Sequence, residues 1–403
     1  VRNSKKRKDI SSQLMVWIRK KIQAETQSAL LEASLFQVRN FSYGVFNFEF
    51  IILNLELSGR GLTSAVVLII AATLDYLIGD PWGWPHPVRV MGWAISRLTK
   101  FALTYCQNSL TQRLAGIILG IILIIGSGFM SYLLIQSARL LHPFLGVTLE
   151  SLLLASCFAL KSLRVAAQTV LQPLIAGHIV DARSTLSHYV GRDTENLTEP
   201  EILRAVLETV TENATDGVMA PLFYAIIGAF IPVVGPTPLA LAYKASSTLD
   251  SMVGYREKPY TYLGWFSARL EDCLTWIPCR LTVMTLGLLS GRPLHTWRIC
   301  RRDAVCDPSP NSGWSECAYA AILGVQVGGT NWYRGVAKHK PLLGDAIHPI
   351  TPNCIYQALQ LTRYCFWVWL GVAILLLLVT NKSAPLENFK DFIFPTGEIK
   401  IVF

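Results

Sequence analysis

The sequence predicts an all-α polytopic membrane protein: four to six hydrophobic segments, one of them re-entrant or broken into half-helices, joined by polar helical loops gathered at the cytoplasmic face. Three observations lead there. Of 403 residues, 52% are hydrophobic and only 16% charged, where an ordinary soluble domain carries about a quarter charged residues. The apolar residues form blocks of near-spanning length rather than short periodic runs. Glycine and proline show no period and no heptad is sustained, which excludes collagen-like and coiled-coil chains.

Residues 1–60 hold 10 Lys/Arg against 5 Asp/Glu, including Lys5-Lys6-Arg7-Lys8. They read as a basic extension that lies on anionic lipid or stays poorly ordered ahead of the true start, and no signal peptide is expected. Residues 61–380 form the membrane domain and 381–403 a tail. Gly61–Gly79 is apolar with Asp75 as its one charge, and Leu114–Ile135 has none. Leu145–Leu160 is shorter and contains Glu150. Val218–Tyr243 is uncharged but interrupted by Pro232, Gly235, Pro236 and Pro238, which suggests a hairpin or two half-helices. Cys273–Leu289 carries Pro278 and Arg280, and Tyr364–Thr380 closes the series with an aromatic edge. The connection Ser290–Arg363 has 8 Lys/Arg and 4 Asp/Glu, a positive-inside bias. The 9 cysteines are odd in number and lack a C-x-x-C pair, so neither a disulfide framework nor a zinc site is expected. No basic stripe suits a nucleic acid.

Four polar constellations adjoin these segments. Asp80-Pro81-Trp82-Gly83-Trp84-Pro85-His86-Pro87-Val88-Arg89 holds an acid, an imidazole and a guanidinium in a stiff turning backbone. Trp82 and Trp84 alone could be interfacial anchors; Arg89 suits a phosphate and His86 a proton. Thr198 and Glu201 form a capping box that opens a helix with Ile202, Leu203, Val206, Leu207 and Val210 on one face. Glu201, Glu208, Glu212 and, if the helix persists, Asp216 share the other. Glu201 and Glu208 read as a solvated face, whereas Glu212, Asn213 and Asp216 abut an apolar segment and offer hard oxygen ligands for Mg²⁺ held with phosphates. Lys244, Thr248 and Ser251 align on a helix that continues to Asp250 and Arg256, and Arg269, Glu271 and Asp272 extend this polar group. Arg301-Arg302-Asp303 leads into Asp307-Pro308-Ser309-Pro310-Asn311-Ser312-Gly313, a turn by composition, followed by Glu316. Gly328-Gly329-Thr330 has the glycines of a phosphate loop but no lysine of the Walker type, so any nucleotide is bound another way.

These four motifs, in this order and setting, resemble the cobalamin-biosynthesis membrane protein family of adenosylcobinamide-phosphate synthase, a cobyric acid aminopropanol ligase. The match runs from about Leu62 to Arg334. The resemblance implies an inner-membrane enzyme that uses ATP and Mg²⁺ to join (R)-1-amino-2-propanol phosphate, or aminopropanol, to a carboxylate of adenosylcobyric acid. Such a ligase is expected to phosphorylate the carboxylate before the amine attacks. On that reading Glu212, Asp216 and Asp250 take the metal, while Lys244, Arg256 and Arg89 hold phosphates, Lys244 at the reacting group. His86 or Glu316 moves the proton, and Asn213, Asn311 and Ser312 orient ligands. The bilayer is a partner, and late corrinoid-pathway enzymes are further candidates. The competing class is a non-enzymatic membrane protein that binds or transports a corrinoid or signals; it would bury its charges within the spans, where only Asp75, Glu150 and Arg280 fall.

Overall fold

A computed structural model describes residues 60–79 and 86–380; the basic extension, the tail and the Asp80–Pro85 part of the first motif lie outside the described residues. Thirteen α-helices and one β-hairpin are described. Their order is α1 (Arg60–Leu77), α2 (Pro87–Tyr105), α3 (Ser109–Leu141), α4 (Pro143–Ala155), α5 (Leu160–Ile175), α6 (Ile179–Leu186), α7 (Glu199–Asn213), a π-helical turn (Ala214–Met219), α8 (Ala220–Ala229), α9 (Pro236–Val253), α10 (Trp265–Leu289), α11 (Pro293–Asp303), α12 (Ser312–Leu323), β1 (Val327–Tyr333), β2 (Val336–Leu343) and α13 (Pro352–Thr380). Among the described residues four stretches are long and apolar enough to cross a membrane: α3, the Pro143–Ile175 run of α4 and α5, α10 and α13, with Gly61–Leu77 a shorter apolar helix. On α3, Ile118, Ile122, Ile125 and Phe129 are 57–64% exposed along one face. A helix whose 114–138 stretch has no charge and leaves such a face bare is built for lipid.

The Pro143–Ile175 run is not one continuous rod, because its ladder breaks between α4 and α5. The residue before α5, Ala159, has no side chain to cap the new helix. Asp75 from the end of α1 accepts the Leu160 N–H at 3.1 Å instead, which explains a carboxylate in an apolar segment. The other two intramembrane charges are also accommodated. Glu150 pairs with Arg139 at 2.5 Å, and the Arg280 guanidinium lies 5.1 Å and 4.4 Å from the ring centres of Trp276 and Trp314.

The Pro-broken segment is a helical hairpin. Gly235 turns with φ +81°, a conformation that a side chain disfavours. Any Cβ on Gly228 would collide with the Gly235 backbone, so α8 and α9 start their contact glycine against chain. Proline in α10 is accommodated by a partner from this hairpin: Pro278 cannot donate to the Leu274 carbonyl, and the Tyr224 hydroxyl of α8 does so at 2.9 Å. α3 packs on α9 and the start of α10 through Gly116, Gly120 and Gly128, small residues that let helices approach closely.

Candidate functional site

The acidic helix α7 begins as expected, with Thr198 N–H and hydroxyl both donating to Glu201, at 2.7 and 2.6 Å. Its apolar face is buried as the periodicity predicts. Its end departs from the α-helical wheel: Ala214–Met219 is a π-helix, so Asp216 does not continue the Glu208–Glu212 row. The wider turn sends it toward α9 and α10. Glu212, Asp216, Asp250, Glu271 and Asp272 thereby come within electrostatic reach of one another, with Lys244 facing Asp216. Glu271 is fixed by Tyr243, whose hydroxyl donates to it at 3.3 Å, and by Thr275.

The solvated-face expectation fails for Glu208. It is 2% exposed, pairs with Arg192 at 2.5 Å and accepts the Gly328 N–H at 2.9 Å. These bonds attach α7 to a β-hairpin that helical periodicity does not reveal. β1 and β2 pair antiparallel with an irregular register between Val327 and Gly329. Gly328 there has φ +95°. Arg204 donates to Gly328 O and, at 3.1 Å, to Thr330 O; Arg192 also donates to Asn331 Oδ1 at 2.9 Å. From β2, Lys340 reaches Glu316 at 2.6 Å and stands 3.9 Å from Asp307.

The Asp307–Ser312 turn forms the opposite wall. Asp307 accepts the Ser309 N–H at 2.9 Å, and Ser309 Oγ accepts N–H groups from Asn311 and Ser312 at 3.3 and 3.1 Å. Asn311 donates to Asp272 O at 2.9 Å and accepts from Arg280 at 3.2 Å, so its amide binds the turn to α10 rather than standing ready for a ligand. Ser315 Oγ donates to Thr211 O at 2.6 Å and lies 2.7 Å from Thr215 Oγ1, which seats Glu316 against α7. Arg256 reaches Pro308 O at 3.5 Å from the exposed side.

Glu212, Asp216, Lys244, Asp250 and Glu316, with Arg256 at the rim, thus converge. Asn213 is exposed at the same end and donates to Thr209 O at 2.9 Å. His86 caps α2, accepting the Val88 N–H at 3.3 Å, and Arg89 is exposed one turn on. α2 packs against the end of α9 through Ile95, Leu249 and Val253, and neither His86 nor Arg89 is among the main charges acting on Glu212, Asp216 or Asp250. Lys340 and Arg192 belong to no motif of the sequence, and Glu208 is there assigned to a solvated face. The alternation of Lys338 and Lys340 in a short run was the one available signal for the first.

Charge is unbalanced here. Glu212 keeps solvent access, yet desolvation by the protein around it, partly offset by Lys340 and reinforced by Asp307 and Glu208, raises its pKa. Burial, with Asp272 and Glu212 nearby, lifts Asp250 to about 6. Burial pulls against the Lys340 ammonium, but Glu316 and Glu212 more than offset it and hold the lysine charged. Asp307 Oδ2 and Glu316 Oε2 are buried without a hydrogen-bond donor. Carboxylates that repel one another, with unused acceptor oxygens, fit a divalent cation. Among the described residues no group of three or more His, Cys, Asp or Glu side chains is close enough to hold a metal by itself. The expected trio is therefore not a closed cage, and a cation would complete its shell with water and ligand oxygens, as Mg²⁺ commonly does.

Residues 68–362 match the sequence model of the CobD/Cbib protein family. The chain is 53% identical over 326 residues to cobalamin biosynthesis protein CobD of Synechocystis sp., covering 81% of this chain and 95% of that one. It is 43% identical over 293 residues to CobD of Geobacter metallireducens, 71% and 88% of the two chains. With CobD's counterpart CbiB of Salmonella typhimurium the identity is 38% over 316 residues, 77% and 96%. No solved structure matches. A family match over most of the chain, laid on a multi-span fold with its charges collected in one cleft, makes this protein a member of the CobD/CbiB family, with its role in cobalamin biosynthesis.

Proposed function

We propose that the protein is an ATP-dependent amide ligase of the cell inner membrane, joining (R)-1-amino-2-propanol phosphate or aminopropanol to adenosylcobyric acid at the cytoplasmic face. The observation that carries this reading is one cluster of charge: carboxylates from α7, the π-turn, α9 and the first turns of α10 lie within electrostatic reach of Lys244 and Lys340, with Arg256 against the Asp307–Ser312 turn. A carboxylate is a poor electrophile, so amide formation needs phosphoryl transfer to it and cations that stabilise the transferring group. Mg²⁺, when bound, would neutralise phosphate charge, with Glu212, Asp216 and Asp250 as its protein ligands. Lys244 and Arg256 bind and orient phosphate oxygens, and Arg89 extends that role from α2. The proton that the incoming ammonium must lose goes to His86 at the helix cap, or to Glu316 by way of Lys340, since Glu316 itself is shielded behind that lysine.

The family name supports the pathway, and the placement of charge supports enzyme over transporter: Asp75, Glu150 and Arg280 are each engaged in structural contacts, while Glu271 and Asp272 lie in the first turns of α10 together with the rest of the cluster. Incubating the protein with adenosylcobyric acid, aminopropanol phosphate and Mg-ATP should yield the condensed corrinoid by mass spectrometry. Absence of that product, where a known ligase makes it, overturns the reading.

A further inference from the structure

A second polar site lies between α1, α5 and α13. A cavity of about 270 Å³ is lined by Tyr76, Lys161, Arg164, Gln168, Gln360 and Arg363 among others, with no carboxylate in its wall. Asp75 is buried behind it and accepts the Leu160 N–H. Lys161 donates to the Leu77 and Ile78 carbonyls at 2.7 and 2.9 Å, two of its three available donors. The Arg164 guanidinium lies 5.6 Å from the Tyr76 ring and that of Arg363 5.6 Å from Tyr364. Among the described residues neither arginine forms an ion pair. Three cations around one cavity, with two amides in its wall and the single Asp75 carboxylate behind it, leave a net positive charge that favours an anion.

The position narrows the ligand. Lys161 directly follows the apolar Leu145–Leu160, Arg363 directly precedes Tyr364–Thr380, and Tyr76 stands near the end of Gly61–Gly79. All three segments therefore pass from apolar to polar at this cavity, which sets it at the boundary of the bilayer, where phosphate groups lie. The volume falls below the range of about 300–1,000 Å³ typical of whole small-molecule sites, enough for a headgroup rather than a large ring system. We infer that this cavity binds a phosphate group, supplied by an anionic phospholipid headgroup or by a soluble phosphate compound. The site is separate from the carboxylate cleft and its test does not depend on ligase activity.

The full-length protein in detergent is titrated with phosphatidylglycerol or phosphatidylcholine and followed by native mass spectrometry, and in parallel with inorganic phosphate and ATP by calorimetry. The Arg164→Gln/Arg363→Gln variant should bind about tenfold or more weakly in one arm, while Arg164→Lys/Arg363→Lys retains most of the affinity. Loss confined to phosphatidylglycerol assigns the site to lipid; loss confined to phosphate or ATP assigns it to a soluble ligand. On the wild type, the same ligand should protect Arg164 and Arg363 from phenylglyoxal, a readout independent of any variant's folding. Equal binding by wild type and the glutamine variant in both arms, or no protection, overturns the inference.

Discussion

At the residue scale, Lys340 and Asp250 govern the cleft. Glu316 is fully shielded and Lys340 is its ion-pair partner. Lys340→Met should lower stability by about 3 kcal/mol, because it strands a buried charge. Adding Glu316→Gln should recover most of that in a thermal-unfolding assay, whereas activity should stay low in both. Asp250 titrates the other way from a paired surface acid. Its folded value of about 6 exceeds the ordinary 3.8, so folding penalises the charged form. As pH falls through 6 toward about 4 the folded protein takes the proton first and the penalty is relieved. Metal-free stability should therefore gain from this group over that window, while Mg²⁺ affinity weakens as the proton competes. Asp250→Asn should flatten both profiles near pH 6 and, with Asp216→Asn, lower kcat by about a hundredfold or more if these acids hold the metal. Folded variants with full activity would remove both residues from that role.

Elements decide whether those residues meet. The α8–α9 hairpin returns the chain so that Asp216 and Lys244, at its two open ends, face each other, and it can close only because Gly228 has no side chain. Gly228→Val should cost about 2–4 kcal/mol by forcing the helices apart and should reduce ligase activity together with the melting temperature. The β-hairpin holds the cleft from the other side. Asn331 receives both Arg192 and Arg204, so Asn331→Ala leaves two guanidiniums short of an acceptor. It should loosen the strands in hydrogen exchange before it changes the membrane helices.

At the scale of the whole molecule, the polar ends of the spans and the cleft are expected to share the cytoplasmic side. Cys306 is a free, exposed thiol beside the Asp307 turn. An impermeant maleimide should label it in inside-out vesicles and leave it unlabelled in intact spheroplasts, with Cys306→Ser as control; the reverse pattern would move the cleft to the outer face. Helix identity, the hairpin break and the capping box were legible in the chain because length, proline and periodicity are local properties. Clustering of Glu212, Asp216, Lys244 and Asp250 is legible too, since their motifs adjoin apolar segments. The burial of Glu208 was not, because its partner Arg192 and the strand that covers it lie on other elements. Nor could an α-helical wheel foresee the π-turn that redirects Asp216. Composition and local pattern along the chain dictate a membrane fold and mark which scarce charges could do chemistry. Which of them are spent on structure and which gather in the carboxylate cluster follows from packing alone, because a charge's role depends on neighbours brought by distant segments.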